Sequence, residues 1–199
     1  MKADPRIELR RLYRGVDGFE IPAKDERRVE RSRGSALYGE LMPTATLRLL
    51  ELLELGPGDR FVDLGAGLGK VVLFAAMHTE AGRVFGVELS PTRVALAEQI
   101  LARAQAQRLP GAERASIVEG DMMRVPLTWA TVIYTCSTAF SEAFMNRLGR
   151  RLAKLPKLRT IATLQDFEEH PKGFELAAIH RLDATWKRRT KVHIYKRSR

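Results

Sequence analysis

Four residues within a seven-residue stretch, Asp63-x-Gly65-x-Gly67-x-Gly69, are spaced to hold a ligand with backbone as much as with side chains. Glycines at these intervals permit positive φ and let a ligand approach the main chain closely. The apolar run that follows, KVVLFAAMHT, reads as a helix whose first turn offers free N–H groups. Two phosphate-binding loops are tested by counting. A GxGxxG loop opening at Gly65 and Gly67 needs glycine at 70, where the chain has Lys70. A P-loop ending in Gly69-Lys70 needs glycine at 64 and a hydroxyl residue at 71, where the chain has Leu64 and Val71. Two further acids, Glu88 and Asp121, close the next two strand-like runs. In nucleotide sites of this kind, an acid ending the second strand accepts from the ribose hydroxyls. Three acids at three successive strand ends suit a ligand that carries positive charge and no phosphate.

The elements that must position these residues follow from periodicity. Pro43 and Thr44 open a helix with apolar residues Leu47, Leu50 and Leu53 at helical spacing, stopped by Gly56-Pro57-Gly58. Strands are expected at 60–64, 83–89, 115–121, 130–137 and 158–164, and helices at 70–79, from Ser90-Pro91 to about 108, and at 141–154. Strands alternating with helices give βαβ units, hence an α/β fold with a mostly parallel sheet and helices on both faces. The last two strand-like runs, FELAAIHRLDATW and TKVHIYKR, have no helix between them and predict an antiparallel hairpin at one sheet edge. Residues 1–35 are charged and poor in apolar periodicity. They read as an extension carrying short exposed helices, ahead of one domain spanning 36–199.

The D-x-G-x-G-x-G loop resembles the first motif of class I methyltransferases that use S-adenosyl-L-methionine (AdoMet), a sulfonium without phosphate. A narrower resemblance rests on YGEL (38–41), FVDLGAGLGKVVL (61–73), VEGDM (118–122), VIYTCSTAF (132–140) and ATW (184–186) with TKVHIYKR. Together these are similar to the disruptor-of-telomeric-silencing (Dot-type) lysine methyltransferases and their short prokaryotic relatives, over about residues 36–196. The resemblance implies a Rossmann-like class I sheet and AdoMet as cofactor. It implies that Tyr38, Gly39 and Glu40 belong to a loop closing over the cofactor. Asp63, Gly65 and Gly67 would line its methionine end, Glu88 its ribose, and Asp121 with Met122 its adenine. Met122 stands where the family usually has an aromatic, and a thioether also offers a flat, polarizable contact. Eukaryotic members carry an asparagine pair after the fourth strand, where this chain has Cys136 and Ser137. Their long nucleosome-binding extension has no counterpart here, which speaks against a nucleosome as substrate.

A lysine acceptor must lose its proton before it can attack, since the side chain in water has a pKa of about 10.4. A narrow, partly apolar channel favours the neutral amine. Tyr38 and Ser137 are the residues expected to orient it. Tyr134, Ser137, Phe140 and Trp186 are candidate walls, although Tyr134 and Phe140 read first as core residues. The net charge of +10 is uneven: residues 145–199 hold 15 Lys/Arg against 5 Asp/Glu. Arg147, Arg150, Arg151 and Lys154 are spaced to share one helix face, and Lys187, Arg188, Arg189 and Lys191 form a second cluster. Such a face suits an acidic docking patch on a protein substrate, or RNA. No Asn/Asp-Pro-Pro-Tyr motif follows the fourth strand, as many base-amine methyltransferases would have. The acceptor is therefore read as a protein lysine first, RNA second and a small amine third. A cofactor-binding protein without catalysis stays open through the altered 136–137 pair. Cys136 reads as a small buried thiol rather than a nucleophile. The four histidines show no metal-ligand spacing, so no metal is expected. The single cysteine, the lack of a signal-like N-terminus and the lack of a long apolar run lead to an expected cytoplasmic location away from membranes.

Overall fold

The computed structural model describes residues 5–32 and 38–198. The expected boundary between extension and domain, at 35/36, lies outside the described residues. The elements run α1 (Pro5–Leu12), α2 (Ala23–Arg31), α3 (Pro43–Leu53), β1 (Arg60–Leu64), α4 (Lys70–His78), β2 (Arg83–Glu88), α5 (Pro91–Ala106), β3 (Ala115–Glu119), β4 (Val132–Thr135), α6 (Glu142–Ala153), β5 (Thr160–Thr163), β6 (Phe174–Leu182) and β7 (Thr190–Arg197). They form a seven-stranded sheet in the order β3-β2-β1-β4-β5-β7-β6. β1 to β5 are mutually parallel where they pair, and β7 runs antiparallel to both β5 and β6. The anticipated C-terminal hairpin is present. The topological switch between β1 and β4 puts the carboxyl ends of the central strands beside the glycine loop, where open α/β sheets bind ligands.

The chain chemistry explains the element ends. Pro43 and Pro91 occupy first helical turns, where a missing N–H costs nothing. Ser90 and Ser141 cap α5 and α6, accepting from Arg93 N and Phe144 N. The central strands are buried along most of their length, as sheets covered on both faces require. One face packs Leu49, Leu73, Phe74, Ile100 and neighbours from α3, α4 and α5. The opposite face packs Phe144, Leu148 and Leu152 of α6 with Leu127 and Tyr195.

Three features differ from sequence expectation. β3 ends at Glu119, so Asp121 lies in the following turn. β4 ends at Thr135, which leaves Cys136 and Ser137 beyond it. β6 stops at Leu182, and Ala184 turns away to bridge Leu41. Nor do the first two helices stand clear in solvent. α1 and its C-terminal turn bury Leu9, Leu12 and Tyr13 in the main core. α2 buries Val29 together with Asp25, whose Oδ2 accepts from Ser90 Oγ (2.8 Å) and Thr92 N (3.0 Å). Few apolar residues suffice when each lands on the core, so weak periodicity concealed the docking.

Candidate active site

The loop after β1 turns through Gly65, Gly67 and Gly69 with φ of 81°, 54° and 73°. Gly65 N and Ala66 N donate to Val87 O at 2.8 and 3.0 Å, tying the loop to β2. Glu88 completes the tie: Oε2 accepts from Gly67 N (2.8 Å), and Oε1 from Leu89 N and Ser90 N (2.9 Å each). A Cβ on Gly67 would overlap the Tyr38 ring. Glycine is therefore required there to seat Tyr38, and the residue does not itself line a cavity.

Tyr38 and Glu40 arrive from the segment before α3. The Tyr38 hydroxyl donates to Glu40 and accepts from Leu68 N at 3.4 Å. Glu40 Oε2 also holds Lys70 Nζ at 2.5 Å. The segment is clamped from the C-terminal side: Thr185 N donates to Glu40 O (2.9 Å), Glu40 N to Thr185 Oγ1 (3.2 Å), and Met42 N to Asp183 O (2.9 Å). Burial, with the neighbouring Glu40 charge second, drives the Tyr38 phenol pKa far up, so it stays a neutral donor.

Two cavities open here. The smaller, about 90 Å³, has Glu88, Asp121, Met122 and Phe140 on its walls, with Val29 and Ser32 from the α2 end. The larger, about 310 Å³, has Asp63, Glu40, Lys70 and Tyr134, with Leu9 and Tyr13 from the α1 end. Tyr38, Gly39, Gly65 and Cys136 line both and form the neck between them. Asp63 is 2% exposed, and its Oδ1 has no hydrogen-bond partner among the described residues. Burial, and then the Glu88 charge, push its pKa up to about 8. An orphaned buried carboxylate is costly, and a cation arriving in the larger cavity relieves it. The Cys136 thiol donates to Gly39 O at 3.5 Å. Burial, and then Asp63, push it up to about 12, so it is no thiolate nucleophile. Tyr134 is buried, and its hydroxyl sits near the Cys136 thiol without an ordinary hydrogen bond among the described residues.

The fold thus brings Tyr38, Gly39, Glu40, Asp63, Gly65, Glu88, Asp121 and Met122 around two joined cavities. Asp121 is half engaged already: its Oδ1 accepts from Met123 N at 2.8 Å and its Oδ2 faces Arg124 at 3.6 Å. Ser137 does not join the site. It is fully buried, its Oγ accepts from Gln165 N at 2.9 Å, and it lines neither cavity. The chain leaves β4 in such a way that Cys136 faces the neck and Ser137 turns into the protein, which corrects the role expected of Ser137 in orienting the acceptor. Trp186 is 43% exposed and packs so tightly over Gly39 that a Cβ there would overlap its indole. Sequence reasoning missed Lys70, Tyr13 and Arg93. Arg93 lies over the Tyr38 ring at 4.6 Å and donates from Nε to Gly18 O at 2.9 Å. Only Lys70 left a signal, as a cation in the first turn of a ligand-facing helix. Among the described residues, no cluster of three or more His, Cys, Asp or Glu is arranged to hold a metal.

A switch-point glycine loop, three acids at or just past the carboxyl ends of three strands and two cavities joined at a neck define the class I AdoMet-dependent methyltransferase fold. The solved structures it resembles share that fold. An RNA methyltransferase from Salinibacter ruber in complex with S-adenosyl-L-homocysteine superposes with TM-score 0.60 at 22% identity, over 79% of this chain and 92% of that one. Magnesium protoporphyrin IX methyltransferase from Synechocystis PCC 6803 with bound SAM superposes with TM-score 0.59 at 14% identity, over the full length of both chains. The family model described as histone methylation protein DOT1 matches residues 21–196, and the chain belongs to that family. A protein-lysine N-methyltransferase from Saccharolobus islandicus is 33% identical over 61% of this chain and 70% of its own length. The H3 lysine-79 specific histone-lysine N-methyltransferases of Caenorhabditis elegans and Mycosarcoma maydis are 28% and 30% identical over 59% and 70% of this chain. The matches span only 13% and 18% of those longer proteins.

Proposed function

We propose that this protein transfers a methyl group from AdoMet to a lysine side chain of a protein. The observation that carries the reading is Asp63, a buried acid at the end of β1 whose Oδ1 has no hydrogen-bond partner among the described residues, opening into a cavity that also presents Lys70. An α-amino acid end carries one ammonium and one carboxylate, and Asp63 and Lys70 match them in charge. Glu88 is the ribose partner and Met122 the adenine contact, with Asp121 at the same end. When bound, AdoMet supplies an electrophilic methyl on a cationic sulfur.

The chain's own residues hold and orient. Gly39, Gly65, Tyr38 and Cys136 enclose the neck, where close backbone approach leaves room for donor and acceptor to meet in line. Tyr38 and Cys136 are neutral there and cannot take a proton from an ammonium. The amine gives its proton to water, and the apolar walls favour its neutral form. Tyr38, braced by Glu40, is the remaining candidate to orient it. Family membership supports a lysine acceptor, with an acidic patch on the substrate meeting the basic C-terminal face. We assign the reaction to the cytoplasm on the strength of the unpaired cysteine. No helix among the described residues is long and apolar enough to cross a membrane. We keep residues 36–199 as the methyltransferase domain, with the preceding extension serving as a wall of both cavities.

The test is tritiated-AdoMet labelling of a lysate, followed by protease or RNase treatment and mass spectrometry of the product. Label on lysine is expected. Label on a nucleobase or a small amine, with none on lysine, overturns the acceptor. No label at all, with AdoMet still bound, marks a cofactor-binding protein without catalysis.

A further inference from the structure

Behind the adenine-side cavity, α6 and the 169–172 segment enclose a groove of about 540 Å³. Arg147, Arg150, Lys154 and Lys172 line it, with His170 and Glu169 on its far side. Arg150, Lys154 and Lys172 are exposed, and a weak ion pair, Arg150 to Glu169 at 3.9 Å, crosses it. Arg151 also lines the groove but is committed elsewhere, donating from Nε to Met122 O at 3.0 Å and from its guanidinium to Val125 O. The groove is joined to the site in chain order. Cys136 stands at the neck, Thr138, Phe140 and Phe144 line the smaller cavity, and Arg147, over the Phe144 ring at 5.6 Å, begins the groove.

We propose that this groove docks an acidic segment of the protein substrate, placing the acceptor lysine along the 138–144 wall toward the neck. The proposal rests on the lysine reading above and adds the place and charge of the recognition element. Arg147, Arg150 and Lys154 lie on successive turns of α6 and its C-terminal cap, so they present carboxylate partners along a line. A single-stranded nucleic acid is the weaker fit, because such sites interleave cations with aromatic stacking platforms. Here the one ring lining the groove among the described residues is His170, already packed edge-on against Tyr195 at 5.3 Å.

The test uses a fluorescein-labelled hexaglutamate peptide joined to a neutral segment bearing one lysine, with labelled oligouridine as the second probe. Anisotropy at low salt is read for the parent, for Arg150→Glu/Lys154→Glu, and for Lys187→Glu/Arg188→Glu as a reversal of equal charge elsewhere. Expected is peptide binding by the parent, weakened about tenfold in the first variant, with little change in the second and AdoMet affinity intact in both. Equal weakening in both variants, or none in the first, overturns the groove. Oligouridine bound through Arg150 and Lys154 while the peptide is not bound overturns it in favour of nucleic acid. Peptide that docks in the groove, while the labelled lysate carries its methyl on a nucleobase or small amine and none on lysine, sustains the docking site and refutes the lysine reading, so the two fail separately.

Discussion

Asp63 is the residue whose protonation the site must change in order to work. Burial holds it protonated up to about pH 8 in the free protein, whereas a cationic ligand beside it favours the carboxylate. AdoMet affinity should therefore rise with pH and level off near 8, by up to about tenfold per unit on the rising limb. Calorimetry on the parent and on Asp63→Asn checks this, and the variant should bind weakly with a flattened profile. The sign for stability is opposite. The native state keeps a proton that the unfolded chain releases near pH 4, so the ligand-free fold loses stability as pH rises from about 4 to about 8. Glu88 calls for a finer substitution than alanine, because its oxygens already accept three backbone N–H groups. Glu88→Ala should lower both AdoMet affinity and melting temperature, the affinity by roughly 1.5–3 kcal/mol. Glu88→Gln, which retains an acceptor oxygen, should lose less of each.

Adjacent positions on α6 have different jobs. Arg151 braces the 121–125 turn that carries Asp121 and Met122, while Arg150 points to the groove. Arg151→Gln should weaken AdoMet binding several-fold through a loosened turn, and Arg150→Gln should leave it unchanged. Titration of both variants with AdoMet decides. If both bind as the parent does, the brace has no functional weight. α1 makes a comparable link from the other side, where Tyr13 OH donates to Leu68 O at 3.1 Å within the glycine loop. Tyr13→Phe should cost about 1 kcal/mol in urea unfolding and loosen AdoMet binding, since that hydrogen bond anchors the glycine loop. The dense charge of α1 and α2 concealed these roles in the sequence. What matters is Tyr13 and Asp25 individually, each finding a partner far along the chain, and Val29 on the wall of the smaller cavity.

At the scale of the whole molecule, the site is assembled from both ends of the chain around the middle of the sheet. The 38–42 segment rests on the glycine loop from one side and is clamped by 183–185 from the other, so donor and acceptor positions depend on the complete fold. No residue at the neck is charged and basic, which makes the acceptor's own proton the pH-determining group. At saturating AdoMet, turnover should climb through the alkaline range toward the lysine pKa of about 10.4. A rate profile flat between pH 7 and 9 under those conditions would point to an internal base. Because AdoMet is saturating, the Asp63 dependence of binding drops out and the two ionisations are read independently.

The residue types and spacing determined the α/β order, the parallel sheet, the glycine loop and the acids that flank it. Those are local properties: glycine where φ is positive, apolar runs where strands are buried, serine or proline where helices begin. Sequence also carried the relationship to the DOT1 family through Tyr38-Gly39-Glu40 and the 61–73 stretch. Tertiary structure alone decided which way neighbouring residues face. Cys136 and Ser137 are adjacent and similar in size, yet one meets Gly39 O at the neck and the other is locked to Gln165 N inside the protein. It likewise decided that Lys70 pairs with Glu40, that Trp186 covers Gly39, and that α1 and α2 wall the cavities. Each of these contacts joins residues far apart along the chain. Their partners are chosen by the packing of whole elements, which no periodicity within a single stretch encodes.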